Sequence, residues 1–122
     1  MKKRVLIVED ELPVLEVFEE FFALLGLETV SAKNGEEALE IFKKQAPFDL
    51  YVIDIRIPKI DGFSLARLFR QEDSRTPILF LSGWVDQEIQ KQIEEIPLTF
   101  YLKKPATFEQ IRQILKELEL IP

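Results

Sequence analysis

Four short, unbroken apolar runs most constrain the fold of this chain: residues 5–8 (VLIV), 50–53 (LYVI), 78–81 (ILFL) and 100–102 (FYL). A strand with one wet face alternates apolar and polar residues, and these runs do not. Continuous runs of this length suit strands buried on both faces, as in a parallel sheet covered by helices. Residues 28–32 (ETVSA) are more mixed and fit an edge strand, second in chain order.

Between the runs the apolar spacing becomes helical. Leu12, Leu15, Phe18, Phe22 and Leu25 recur at three- and four-residue steps, with Pro13 near the start and Gly26 at the stop. Asn34-Gly35 precedes Glu36 and Glu37, then Ala38, Leu39 and Phe42, predicting a second helix with acids in its first turn. Phe63, Ala66 and Phe69 mark a third. Asp86 suits the cap of a fourth bearing Ile89 and Ile93. Thr107 with Gln110 fits a capping box for a fifth, with Phe108, Ile111, Leu115 and Leu118 on one face. Five strand–helix repeats predict right-handed crossovers and a doubly wound α/β sandwich of three layers. There is no internal linker, repeat or low-complexity tract, so 1–122 reads as a single domain.

Composition narrows the chemistry. The chain has no Cys and no His. Disulfides, thiol nucleophiles, Cys/His zinc sites and histidine acid–base catalysis are therefore excluded. Any metal would be a hard ion held by oxygen: magnesium, manganese or calcium. The net charge of −6 argues against nucleic acid or an anionic membrane as partner. The apolar run after Met1-Lys2-Lys3-Arg4 is too short for a signal peptide or a membrane span, which fits a cytoplasmic chain.

In an open parallel sheet, ligands bind at the carboxyl ends of the strands. Glu9-Asp10 follows the first run, Asp54 the third, Ser82-Gly83 the fourth and Lys103-Lys104-Pro105 the fifth. Each has an ordinary reading alone. Glu9-Asp10 could cap the first helix, Asp54 could end a turn, Asp61-Gly62 could start a helix, and the lysines could be solvated. Read together they are three carboxylates, a hydroxyl and a lysine pair at one sheet edge. A single like-charge pair at ~4 Å costs about 4 kcal/mol at an effective dielectric near 20, so the cluster needs a counterion. A divalent cation, a lysine and a hydroxyl around a carboxylate make a set of parts for phosphoryl transfer onto Asp54.

The segments VLIVEDE (5–11), DIRIPKIDG (54–62), ILFLSG (78–83) and YLKKP (101–105) resemble receiver domains of two-component response regulators, and the resemblance covers essentially the whole chain. It implies the flavodoxin-like strand order 2-1-3-4-5. It implies Asp54 as phosphoacceptor, with Asp10, Asp54 and the Arg56 carbonyl as magnesium ligands and Glu9 acting through water. Ser82 resembles the hydroxyl that moves toward the phosphoryl group, Lys104 the phosphate-binding lysine and Tyr101 the aromatic switch; Lys103 faces outward. The implied donor is a sensor histidine kinase or histidine phosphotransfer protein. The implied output is an unidentified protein bound at the face of the fourth helix, last strand and last helix, a face that also suits dimerisation. The family is a signalling domain rather than an enzyme, beyond self-catalysed phosphotransfer and slow autodephosphorylation.

Several positions depart from the family pattern. Ile57 replaces Met, Gly83 replaces Ala, Ala106 stands where Phe is common, and Pro97-Leu98 stands where Gly-Ala usually precedes the last strand. Two positions that tune phosphate lifetime in the family are here Arg56 and Trp84. Trp84 could cover the acyl phosphate or anchor a partner, and Arg56 could reach the phosphoryl group or Glu9. Two other classes compete: a phosphorylation-independent interaction module, and an Asp-nucleophile phosphatase. The second usually carries another Asp two residues after the nucleophile, where this chain has Arg56. No glycine-rich phosphate loop follows the first run, which disfavours nucleotide binding. Without an output domain in residues 1–122, the response would pass through binding.

Overall fold

The computed structural model describes residues 2–122. Five strands alternate with five helices: β1 (Arg4–Val8), α1 (Leu12–Leu24), β2 (Glu28–Ala32), α2 (Gly35–Gln45), β3 (Leu50–Asp54), α3 (Gly62–Glu72), β4 (Ile78–Ser82), α4 (Gln87–Glu95), β5 (Thr99–Lys103) and α5 (Phe108–Glu117). The strands form one parallel sheet in the order β2-β1-β3-β4-β5. The expected flavodoxin-like order and the edge position of β2 are both borne out.

Period-two alternation divides each central strand between two cores. Leu6, Val8, Tyr51, Ile53, Ile78 and Phe80 point to one face, where α2, α3 and α4 contribute Ala38, Phe42, Phe63, Ala66, Phe69 and Ile93. Val5, Ile7, Leu50, Val52, Leu79 and Leu81 point to the other, against Leu15, Phe18 and Phe22 of α1 and Ile111 and Leu115 of α5. Every residue of β3 and β4 is buried, which is why those runs carry no polar alternation. Phe42 and Phe69 stack at 4.4 Å with Tyr51 beside them. Truncating a buried phenylalanine such as Phe69 costs about 3–5 kcal/mol in such cores. The Tyr51 hydroxyl donates to Asp73 Oδ2 at 2.8 Å, and burial followed by that carboxylate pushes its pKa up.

The helix starts follow their capping residues. Asn34 accepts from the Glu37 amide, Asp61 from Ser64, Asp86 from Ile89, and Thr107 with Gln110 closes a capping box. The exception is α1. Its N-cap is Glu11, with no side-chain cap bond, so neither Glu9 nor Asp10 caps it. Both are left for the sheet edge.

The departure at Pro97-Leu98 has a visible consequence. α4 is short, with Ile93 its one buried residue, and the turn into β5 places Leu98 at φ +57. A side chain in that left-handed region costs roughly 1–2 kcal/mol. The turn is held by the Leu98 carbonyl, which accepts from the Ile78 amide at 3.1 Å.

Candidate functional site: an acidic cluster closed by a lysine

Register brings the strand ends level. Val8 pairs with Ile53, Asp54 with Leu81 and Ser82 with Lys103, so the residues just beyond β1 and β5 flank the last residues of β3 and β4. The Glu9 amide donates to the Ala32 carbonyl at 3.0 Å, and the Lys104 amide to the Ser82 carbonyl at 2.8 Å. These bonds extend the ladder far enough to aim both side chains at Asp54.

Asp54 is buried, and each of its oxygens has a donor. Oδ1 accepts from the Arg56 amide at 3.0 Å and Oδ2 from Lys104 Nζ at 2.8 Å. Lys104 Nζ also lies 2.6 Å from Glu9 Oε1, so one ammonium spans two carboxylates. Glu9 is 1% exposed, and its other oxygen accepts from the Glu11 amide at 3.2 Å. The 2.6 Å approach is an ion contact without hydrogen-bond alignment, which leaves Glu9 Oε1 short of a properly directed donor.

The charges shift one another. Burial, reinforced by the Asp54 charge, pushes the Glu9 carboxyl from 4.5 to about 7 against the opposing pull of Lys104. Burial opposes the Lys104 charge, but its hydrogen bond to Asp54 and the attraction of Asp54 and Glu9 outweigh it and raise the pKa. One lysine therefore does not fully neutralise this acid cluster.

Glu9, Asp10 and Asp54 each present a carboxylate oxygen within 4.8 Å of the others. Magnesium binds oxygen at about 2.0–2.1 Å, placing opposite ligands about 4.2 Å apart, so small side-chain motions would gather these atoms on one ion. Asp10 is exposed and leaves the cluster open on the solvent side. The all-oxygen donor set, the raised Glu9 and its underserved oxygen all fit a divalent cation.

A hollow of about 280 Å³ beside the cluster is lined by Asp10, Asp54, Arg56, Ser82, Trp84 and Lys104, among others. Ser82 is buried, and its hydroxyl donates to the Trp84 carbonyl at 2.7 Å while accepting from the Trp84 amide at 3.2 Å. Its hydroxyl thus faces its own loop and not Asp54. Trp84 is 62% exposed and Arg56 is exposed, while Lys103 also faces solvent. Tyr101, opposite Phe80 on β5, is half-buried against the α2–α3–α4 core.

Two features of the site leave little trace in the sequence. One is the Ser82–Trp84 bond pair, a local turn that any serine two residues before another could make. The other is the support of the loop after Asp54 by Gly35, whose amide donates to the Pro58 carbonyl at 3.2 Å; its one signal is a glycine at a helix start where most residues are tolerated.

Fold and site together define a doubly wound α/β domain with an acid–lysine–hydroxyl centre at the carboxyl edge of its sheet. Residues 5–116 match the response regulator receiver domain family, and the chain belongs to it. The probable transcriptional regulator ycf27 of Porphyridium aerugineum is 31% identical over 97% of this chain and 50% of its own length. Sporulation initiation phosphotransferase F of Bacillus subtilis is 26% identical, covering 96% of this chain and 94% of that protein. Among solved structures, chemotaxis protein CheY4 of Vibrio cholerae superimposes with a TM-score of 0.89 at 27% identity, over 97% of this chain and 99% of that one. The chain spans about half the length of several curated relatives, the ycf27 regulators among them. Membership of this family is consistent with phosphorylation-dependent signalling. No helix among the described residues is long and apolar enough to cross a membrane.

Proposed function

We propose that residues 1–122 act as one receiver unit in which Asp54 accepts a phosphoryl group from the phosphohistidine of a histidine kinase or histidine phosphotransfer protein in the cytoplasm. The observation that carries this reading is the Lys104 ammonium, held 2.8 Å from a buried Asp54 carboxylate beside the Glu9–Asp10 pair. A lysine so placed can pass from the carboxylate to a phosphoryl oxygen without leaving the site.

An Asp54 oxygen attacks phosphorus, the P–N bond breaks, and the donor imidazole departs with the bonding electron pair and takes up a proton. Asp10, Asp54 and the Arg56 carbonyl would hold magnesium, or manganese, with Glu9 acting through water, and a cation there would supply charge neutralisation for the transferring oxygens. Lys104 pairs with a second phosphoryl oxygen. The Ser82 hydroxyl leaves the Trp84 carbonyl and donates to a third. That rotation releases the 82–84 loop, and Tyr101 follows inward, shifting the α4–β5–α5 face between two states. A downstream protein or a second copy of the chain reads that face. The domain thus catalyses its own phosphorylation and slow dephosphorylation and turns over no separate substrate.

The test is transfer of label from a phosphorylated histidine kinase. Label should reach the wild-type chain, fail with Asp54→Asn and fall sharply with Lys104→Ala. Equal labelling of Asp54→Asn would remove Asp54 from this role.

A further inference from the structure

The loop at 55–61 carries the Arg56 carbonyl and leads directly from Asp54. It is gripped by two glycines, one at its far end and one against its middle. At its far end, a Cβ on Gly62 would lie 2.7 Å from the Asp54 carbonyl oxygen and 2.8 Å from the Ile55 Cα. In its middle, the loop is held by α2. The Gly35 amide donates to the Pro58 carbonyl at 3.2 Å, the same oxygen that accepts from Ile60. Among the described residues, this is the backbone hydrogen bond that reaches the middle of the loop from another element.

The contact is as close as backbones allow. A Cβ on Gly35 would stand 2.5 Å from both the Ile60 Cβ and the Ile60 carbonyl oxygen, and 3.0 Å from the Ile60 Cα. Truncating Ile60 would not relieve this, because two of the three atoms are backbone. The Gly35 φ is not in the left-handed region, so the need for glycine is steric and not conformational. Lys59 supplies the turn beside it at φ +76.

We propose that Gly35 is a positioning residue: the start of α2 sets the height of the 55–61 loop, and through it the Arg56 carbonyl and amide that serve the cation and Asp54. This rests on the functional reading above. A side chain at position 35 drives the loop away from α2 and pulls the Arg56 backbone out of line. Groups that orient a metal's ligands are worth about 10–100-fold in affinity, and an effect in that range follows here.

Magnesium binding is measured by calorimetry, and amide exchange is followed at Ile60 and Gly62, on wild type, Gly35→Ala and Asn34→Ala. Asn34→Ala removes the bond from the Glu37 amide to Asn34 Oδ1 and loosens the start of α2 without touching the loop. Gly35→Ala is expected to lose tenfold or more in magnesium affinity, with faster exchange at Ile60 and Gly62 and unchanged exchange in β1 and β4. Asn34→Ala is expected to lose a few-fold, and it decides the question if Gly35→Ala does not fold. Wild-type affinity and exchange in whichever of these variants folds would overturn the proposal. If the wild-type chain binds no magnesium, the functional reading fails, and exchange at the two amides alone decides the role of Gly35.

Discussion

Glu9→Gln should stabilise the metal-free protein at alkaline pH and do little at acid pH. Glu9 is almost fully buried, and its carboxyl is raised from 4.5 to about 7 by burial, with Asp54 adding to the shift. The unfolded chain ionises this group first. Between pH 4.5 and about 7 the folded state holds the extra proton, so its stability falls as pH rises through that window and levels off above it. At 1.36 kcal/mol per pH unit, the burden on the folded state at pH 8 is at most about 3 kcal/mol. Glutamine keeps the shape of the protonated acid without the charge. Allowing for its different hydrogen bonding and the freed partner lysine, the gain at pH 8 should be about 1–3 kcal/mol. At pH 5 it should fall below about 1 kcal/mol. Urea unfolding in chelator reads this directly: with a slope of roughly 1–3 kcal/mol/M, the midpoint rises by about 1 M at pH 8. Excess magnesium should shrink or reverse the gain, because the cation relieves the same repulsion and the variant offers it one charge fewer. A stability difference independent of pH, or a less stable variant at pH 8, would refute the reasoning.

The remaining predictions follow from single positions. Leu98→Gly removes a side chain from a left-handed backbone, and after the entropy cost of glycine it should raise stability by up to about 1 kcal/mol in chemical unfolding. Thr107→Ala opens the capping box of α5 and should cost about 1 kcal/mol in the same assay. Trp84→Ala should shorten the lifetime of the acyl phosphate if the indole covers it; an unchanged dephosphorylation rate would leave Trp84 as a partner contact instead.

Much of this molecule was legible because its signals are local. The strands at 50–54 and 78–82 are buried on both faces, so their apolar runs stand out without any knowledge of their neighbours. Asn34, Asp61, Asp86 and Thr107 announce their helices because a cap bond spans three residues. Glu9, Asp54, Ser82 and Lys104 could be gathered because a parallel sheet puts every strand's carboxyl end on one edge. What escaped depends on distance or on a choice among rotamers. Nothing near Gly35 in sequence shows that Ile60 lies against it. Nothing in Ser82-Gly83-Trp84 shows that the hydroxyl turns toward the Trp84 carbonyl and away from Asp54. The strain at Leu98 is set by how a short α4 must turn into β5, which no propensity at that residue records.

The most direct test of the central claim is intact mass after incubation with a small acyl phosphate and magnesium. The wild-type chain should gain a single phosphoryl group, and the gain should vanish with chelator and in Asp54→Asn. No gain in the wild-type chain, or an equal gain in Asp54→Asn, would contradict the assignment of Asp54 as the phosphoacceptor.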